Sequence, residues 1–253
     1  MELFDAHAHL AAPEFADDLP EVLARAAAAG VRGIVAVGET LADAERILAL
    51  ADRSLLVKPA AGFDPTCLDQ DAAEAVIAFV GRHADRLVAV GEVGLDRWVV
   101  KAEADWRIQE AILAEFVALS SRLDLPLSVH SRSAGRHAIA LLKACAARRV
   151  VLHAFDGKAG SALEGIDAGY AFSIPPSVVR SPQKQKLVRL LPLGSLLLET
   201  DSPVLGPNPT ERNEPANVAI ACRAVAAIKG VSPETVARVT TENARRLFPR
   251  AFA

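Results

Sequence analysis

Cysteine is scarce in this chain. Three residues, Cys67, Cys145 and Cys222, stand among 253. An odd number at no metal-binding spacing argues against a disulfide framework or a cysteine-ligated zinc site, and predicts free thiols in a reducing cytoplasm. Cys145 and Cys222 fall in helical patterns and read as packing residues. A block of one charge sign is also missing: 28 Lys and Arg face 31 Asp and Glu, a net charge of −3. A broad grip on duplex nucleic acid needs many cationic contacts to phosphate, so that function is disfavoured. An enzyme that holds one strand end through metal ions and a few arginines is not. No uninterrupted apolar run approaches the ~20 residues that cross a bilayer. No leader of basic then apolar residues is visible, nor any linker, low-complexity tract or short-period repeat. The expectation is one domain over residues 1–253, cytoplasmic, with no membrane contact and no stable protein partner.

What is present is a strong alternation. Hydrophobic residues make up 51% of the chain, enough for a large core. Continuous apolar runs near 2–9, 33–37, 55–61, 87–93, 127–130, 150–153, 170–174 and 196–199 read as strands buried on both faces, as in a parallel sheet. Helical patterns lie between them. Ile108, Ile112, Phe116, Leu119 and Leu123 form one apolar face, and Val218, Cys222, Val225 and Ile228 another. Ser181–Pro182 and Ser232–Pro233 pair an N-cap with a first-turn proline, while Gly30 and Gly230 suit helix C-termini. Eight strand–helix units in this length predict an α/β fold, a (β/α)8 TIM barrel, with an extra C-terminal helix near 233–247. An open doubly wound sheet would carry a Gly-rich loop after the first strand. Here that place is taken by HAHLAAPEF.

A barrel enzyme carries its chemistry at the C-terminal ends of its strands. There this sequence places polar residues: His7 and His9 in the first strand, Glu92 in the fourth, His130 in the fifth, His153 in the sixth and Asp201 after the eighth. Residues i and i+2 of a strand share a face, so His7 and His9 can hold one ion together. Each residue alone has a bland reading, for a strand-end histidine is usually hydrogen-bonded structure. Together they would be costly to bury without a partner. The mixed N/O set suits Zn²⁺ or Mn²⁺ better than Ca²⁺, and exceeds what one tetrahedral ion needs. One or two divalent ions (Zn, Mn or Mg) are therefore expected, with His7, His9, Glu92, His130, His153 and Asp201 as ligands. His83 and His137 fall within helical patterns and read as solvated helix residues. Arg132 is a candidate phosphate contact, with pairing to a nearby acid as the alternative. Trp98 reads as a rim packing residue, with base stacking as the alternative.

The motifs FDAHAHL, GEVGLD, LPLSVHSRSA, HAFDG, LLLETDSP and RNEPANV occur in this order, and the chain ends in TTENARRLF. In this series the chain resembles the TatD-type metal-dependent deoxyribonucleases, a branch of the amidohydrolase-like barrels. The resemblance implies that His7 and His9 hold one ion and His130 and His153 the other. It places Glu92 between them, and has Asp201 contact the first ion and the attacking water. Glu92 and Asp201 are thus the expected catalytic carboxylates. The implied activity is phosphodiester hydrolysis of DNA, single-stranded or at ends, often from the 3′ side. The chain departs from the family pattern in places. Many members carry G-x-H-P-H after the third strand, where this chain has GFDPTCL, with Phe63 and Asp64 at the histidine positions. Ser133 stands where Asp is common, and Ala154 and Asp156 where Cys and Ser are common. Two alternatives follow. The same metal frame could hydrolyse another ester or amide, such as an aminoacyl-tRNA, a lactone or another phosphoester. A non-catalytic barrel would instead be expected to carry damaged ligand positions.

Overall fold

The computed structural model describes residues 1–253. Eight parallel strands occur in the order in which the chain makes them. They are β1 (Leu3–Ala8), β2 (Val31–Ala36), β3 (Val57–Ala61), β4 (Ala89–Gly94), β5 (Leu127–His130), β6 (Val150–Leu152), β7 (Ala171–Ile174) and β8 (Leu196–Leu198). The helices between and after them are α1 (Leu19–Ala28), α2 (Leu41–Ala51), α3 (Gln70–Arg82), α4 (Glu103–Leu123), α5 (Gly135–Ala144), α6 (Ala159–Asp167), α7 (Pro182–Leu190), α8 (Val218–Lys229) and α9 (Pro233–Leu247). The expected strand–helix order and the additional C-terminal helix are both present. None of the helices is long and apolar enough to cross a membrane.

Local chemistry sets the helix boundaries. The Ser181 and Ser232 hydroxyls accept from the N–H groups of Lys184 and Thr235, capping α7 and α9 ahead of their first-turn prolines. Gly230 ends α8 in the left-handed conformation, at φ 67°. Ile112, Phe116 and Leu119 of α4 are buried, as their spacing predicts.

The sheet closes at the functional end. The Asp201 N–H donates to the His7 carbonyl at 2.9 Å, and the His9 N–H donates to the Ser202 carbonyl at 2.8 Å. This seam joins the chain after β8 to β1 and makes the sheet a barrel.

Alternate residues divide between two cores. Ile34, Ala36, Leu127, Val129, Val150, Leu152, Leu196 and Leu198 pack outward in a cluster of 55 buried residues shared with the helices. Phe4, Ala6, Val35, Ala60, Val88, Val151 and Leu197 come from strands all around the barrel, yet form one smaller cluster, which must be the interior. Leu247, Phe248 and Ala251, at and beyond the end of α9, belong to that same interior cluster. The Phe4 ring stacks on Phe248 and Phe252, with centroids 6.3 and 4.7 Å away. The extra helix therefore stoppers the N-terminal mouth, and the C-terminal mouth is left to the site.

Candidate metal centre

The interior register of the strands carries the site. Going up the barrel by steps of two, Ser128 leads to His130, Val151 to His153, and Leu197 to Glu199 and Asp201. Apolar interior residues near the stoppered end give way to polar ones at the open end. Four strands, β1, β2, β6 and β8, stop one residue short of their expected ends, and His9, His153 and Asp201 lie one, one and three residues beyond β1, β6 and β8. Their backbones leave the ladder where the side chains turn toward a common point. Asp201 has φ 52° and Ala154, just after His153, has φ 42°, both left-handed and unusual for residues other than glycine.

All six expected ligands converge. His7 Nε2 is 3.0 Å from Glu92 Oε2, and His9 Nε2 is 3.3 Å from that oxygen and 3.2 Å from Asp201 Oδ1. The other carboxylate oxygen, Glu92 Oε1, is 2.7 Å from His130 Nδ1 and 2.9 Å from His153 Nε2. The two histidine nitrogens within each pair are 3.3 Å apart. Glu92 thus faces one histidine pair with each oxygen. Donors bound about 2.1 Å from a tetrahedral ion lie about 3.4 Å from one another. The donor atoms here have nearly that spacing, and their nitrogen and oxygen chemistry fits two divalent ions sharing one carboxylate.

A ring of supporting groups orients these side chains. His7 Nδ1 is 2.9 Å from Ser128 Oγ, His130 Nε2 is 3.0 Å from Asp96 Oδ2, and His9 Nδ1 is 3.4 Å from Glu39 Oε2. In each imidazole this contact fixes which nitrogen faces the centre. Asp96 also accepts the N–H groups of Trp98 and Val99 at 2.7 Å, tying the loop after β4 to His130. Asp5 accepts from the Thr200 N–H and hydroxyl at 2.8 and 2.6 Å, locking β1 to the Asp201 loop. Asn213 spans that loop from below, donating to the carbonyls of Thr200 and Val204 at 2.8 and 2.7 Å. Its neighbours Arg212 and Glu214 pair with Asp18 and Arg25. The RNEP motif is a clamp. Gly62 and Gly94 are required by close approach, since a Cβ on either would collide with the carbonyl oxygen of Glu92 or of His130.

Electrostatics follow from this packing. Burial alone would raise the Glu92 pKa, but the surrounding imidazoles His153, His7 and His130 hold it well below the carboxylate range. Asp201 is likewise lowered, burial being outweighed by His9, His153 and His7. Burial would lower His130, yet hydrogen bonds to Asp96 and Glu92 raise it to about 10. His9 is raised well above 6.5 against its burial by Asp201, Glu39 and Glu92, whereas burial and His153 lower His7. The site is a cage of carboxylates partly neutralised by imidazolium, a charge pattern that divalent cations can replace.

The centre opens into a cavity of about 1000 Å³ at the C-terminal mouth, lined by His9, Glu92, His130, His153 and Asp201 among others. Arg132, Arg46 and Lys184 also line it. Arg132 is exposed, with its guanidinium 5.3 Å from the Trp98 ring centre and no acid in pairing range, so the expected alternative of an acid partner is not realised. Trp98 is 57% exposed at the rim, with the Lys101 ammonium 4.8 Å from its ring centre, and is less packed than the sequence suggests. His83 packs on Phe79 at the end of α3, and His137 lies on α5, both outside the centre. Phe63 is buried, and Asp64 binds the N–H and hydroxyl of Thr66, so neither lines the cavity. Asp156 accepts the Ser133 N–H at 3.0 Å, joining the loops after β5 and β6. Sequence reasoning overlooked Glu39, Asp96, Ser128, Glu199 and Lys184. Glu39 stands three residues past β2, and Asp96 lies inside GEVGLD, so strand-end logic reaches both. Glu199 ends the expected strand 196–199 and is reached in the same way, whereas Ser128 and Lys184 carry no local signal.

Comparison with known proteins agrees with this geometry. The family model described as TatD related DNase matches residues 4–249. A human relative, Deoxyribonuclease TATDN3, is 47% identical, the match covering 98% of this chain and 95% of that protein. The 3′-5′ ssDNA/RNA exonuclease TatD of Citrobacter koseri is 31% identical over 99% of this chain and all of its own. The crystal structure of YJJV, a TatD homologue from Escherichia coli, superposes with a TM-score of 0.90 at 29% identity, covering 98% of both chains.

Proposed function

The chain belongs to the TatD-related DNase family, and from that premise we propose that it is a divalent-metal-dependent deoxyribonuclease that hydrolyses phosphodiester bonds at the 3′ end of single-stranded DNA. The observation that carries this reading is Glu92, whose two oxygens each face one histidine pair. His7, His9 and Asp201 would hold one ion with Glu92 Oε2, and His130 and His153 the other with Glu92 Oε1. Zn²⁺, Mn²⁺ and Mg²⁺ are the candidates. When bound, such ions acidify water and offset charge on phosphate oxygens. Asp201 lines the cavity and is held ionised near neutrality by its imidazole neighbours, so it can orient the attacking water and accept its proton. Arg132, unpaired at the mouth, can take a phosphate oxygen through its planar fork. The whole of 1–253 acts as one hydrolase domain, and three free cysteines fit a cytoplasmic setting.

A second reading, another ester on the same frame, is favoured by one feature. Phe63 and Asp64 stand where the family pattern has histidines and neither lines the cavity, so the loop after β3 supplies no histidine to a phosphate. The test is digestion of end-labelled single-stranded DNA in added Mn²⁺, Mg²⁺ or Zn²⁺, beside an aminoacyl ester. Asp201→Asn is the control. A ladder shortening from the 3′ end, reduced by orders of magnitude in the variant, is expected. Turnover of the aminoacyl ester alone would replace this reading with the second.

A further inference from the structure

Of the 28 lysines and arginines, only Lys184 is buried, at 7% exposure. It belongs to the first turn of α7 and lines the wall of the cavity. Its Nζ donates to the carbonyl of Ala154 at 2.8 Å, directly after the ligand His153. The left-handed backbone at Ala154 leaves its N–H donating the other way, to Glu199 Oε1 at 2.7 Å. No carboxylate oxygen lies within the 4.0 Å of an ion pair with Nζ. An ammonium has three N–H donors, and one is engaged here. A buried cation with spare donors is costly unless an anion completes it. Burial lowers the Lys184 pKa from the ordinary lysine value, and the nearby charges of Glu199, Asp201 and Asp156 oppose that shift while Arg180 adds to it. Its place in the cavity wall leaves the remaining donors for a ligand bound there.

We propose that Lys184 is a phosphate ligand: its ammonium binds a non-bridging oxygen of the scissile phosphodiester beside the His130–His153 half of the metal centre. This rests on the nuclease reading and extends it, by assigning a phosphate-oxygen subsite to α7. A residue that only anchored the loop after β6 would need one neutral donor toward the Ala154 carbonyl. Glutamine can provide that donor without the charge.

The experiment uses the full-length, metal-loaded protein and its Lys184→Gln and Lys184→Arg variants. Inorganic phosphate is titrated calorimetrically, and kcat and KM are measured on a single-stranded oligonucleotide. Metal content and Tm are recorded for each variant. The expected result is phosphate affinity at least tenfold weaker in Lys184→Gln, with metal content unchanged and partial recovery in Lys184→Arg. The kcat/KM should fall about a hundredfold in Lys184→Gln, the scale of losing one charged contact to the transition state. Unchanged phosphate affinity in Lys184→Gln overturns the proposal, whether or not Tm falls. If Tm or metal content falls in both variants with no difference in phosphate affinity between Gln and Arg, Lys184 is a loop anchor and the proposal is likewise overturned. Phosphate binding that depends on Lys184 in a protein that cuts no DNA would instead remove the nuclease reading and leave the subsite standing.

Discussion

Changing Glu92 to glutamine replaces one of its two oxygens by a donor that repels a cation. Since each oxygen faces a different histidine pair, Glu92→Gln is expected to lower metal stoichiometry at one pair and abolish hydrolysis, as read by elemental analysis and a digestion assay. Asp96→Ala should be milder. It removes the partner of His130 Nε2 and should weaken one ion about 10- to 100-fold, leaving the other unaffected, in a competition titration with a chromogenic chelator. The pH response has a definite sign. His130 is raised from 6.5 to about 10 in the folded, metal-free protein. Its stabilising contribution is therefore complete below pH 6.5 and is lost as pH rises through about 10. Asp5, pushed up by burial to about 8 despite its Thr200 hydrogen bonds, acts in the same direction. Chelated protein should thus melt at lower temperature as pH rises from 6.5 toward 10. Metal affinity should rise over the same window, because an ion must displace the His130 proton. Proton release on titration in buffers of different ionisation enthalpy reads this directly. At this scale the convergence of the six candidate residues was legible because their residue types fall at strand ends. Ser128 and Lys184 were not, since their roles come from a strand or loop far away in the chain.

Elements were legible wherever one period held. β5 was predicted to its exact bounds, because four apolar-rich residues end in the polar turn that starts α5. β1, β6 and β8 stop short of their predicted ends because convergence on the centre breaks the ladder there. The long connection from β8 to α8 had no periodic signal, and its order comes from side chains. Asn213 bonds two carbonyls of that connection at once, and it is buried. Asn213→Ala should destabilise the fold by about 2–3 kcal/mol and reduce turnover by freeing Asp201, with denaturant melts and kcat as the readouts. Phe248→Ala, which empties space inside the barrel floor, should cost about 3–5 kcal/mol while leaving metal binding intact.

Across the whole molecule, the candidate centre gathers its six side chains from β1, β4, β5 and the loops that follow β1, β6 and β8, and it lies on the seam that closes the sheet. Ion binding should therefore stabilise the barrel as a unit. At an ion concentration of 100 times Kd the gain is about 2.7 kcal/mol. For a chain of this size that corresponds to roughly 5–10 °C in Tm, lost on adding chelator in a calorimetric scan. The overall architecture was legible from the count of strand–helix units, and the stopper formed by Phe4, Phe248 and Phe252 was not, because it joins the two ends of the chain. That stopper makes the reaction chamber a blind alley. A strand cannot be fed through it and out at the far side. Each severed nucleotide has to leave by the doorway through which the polymer came in, so the shortened strand must back away before it can re-enter. Digestion should accordingly proceed in separate visits, and an excess of unlabelled competitor added after the first cut should halt further shortening.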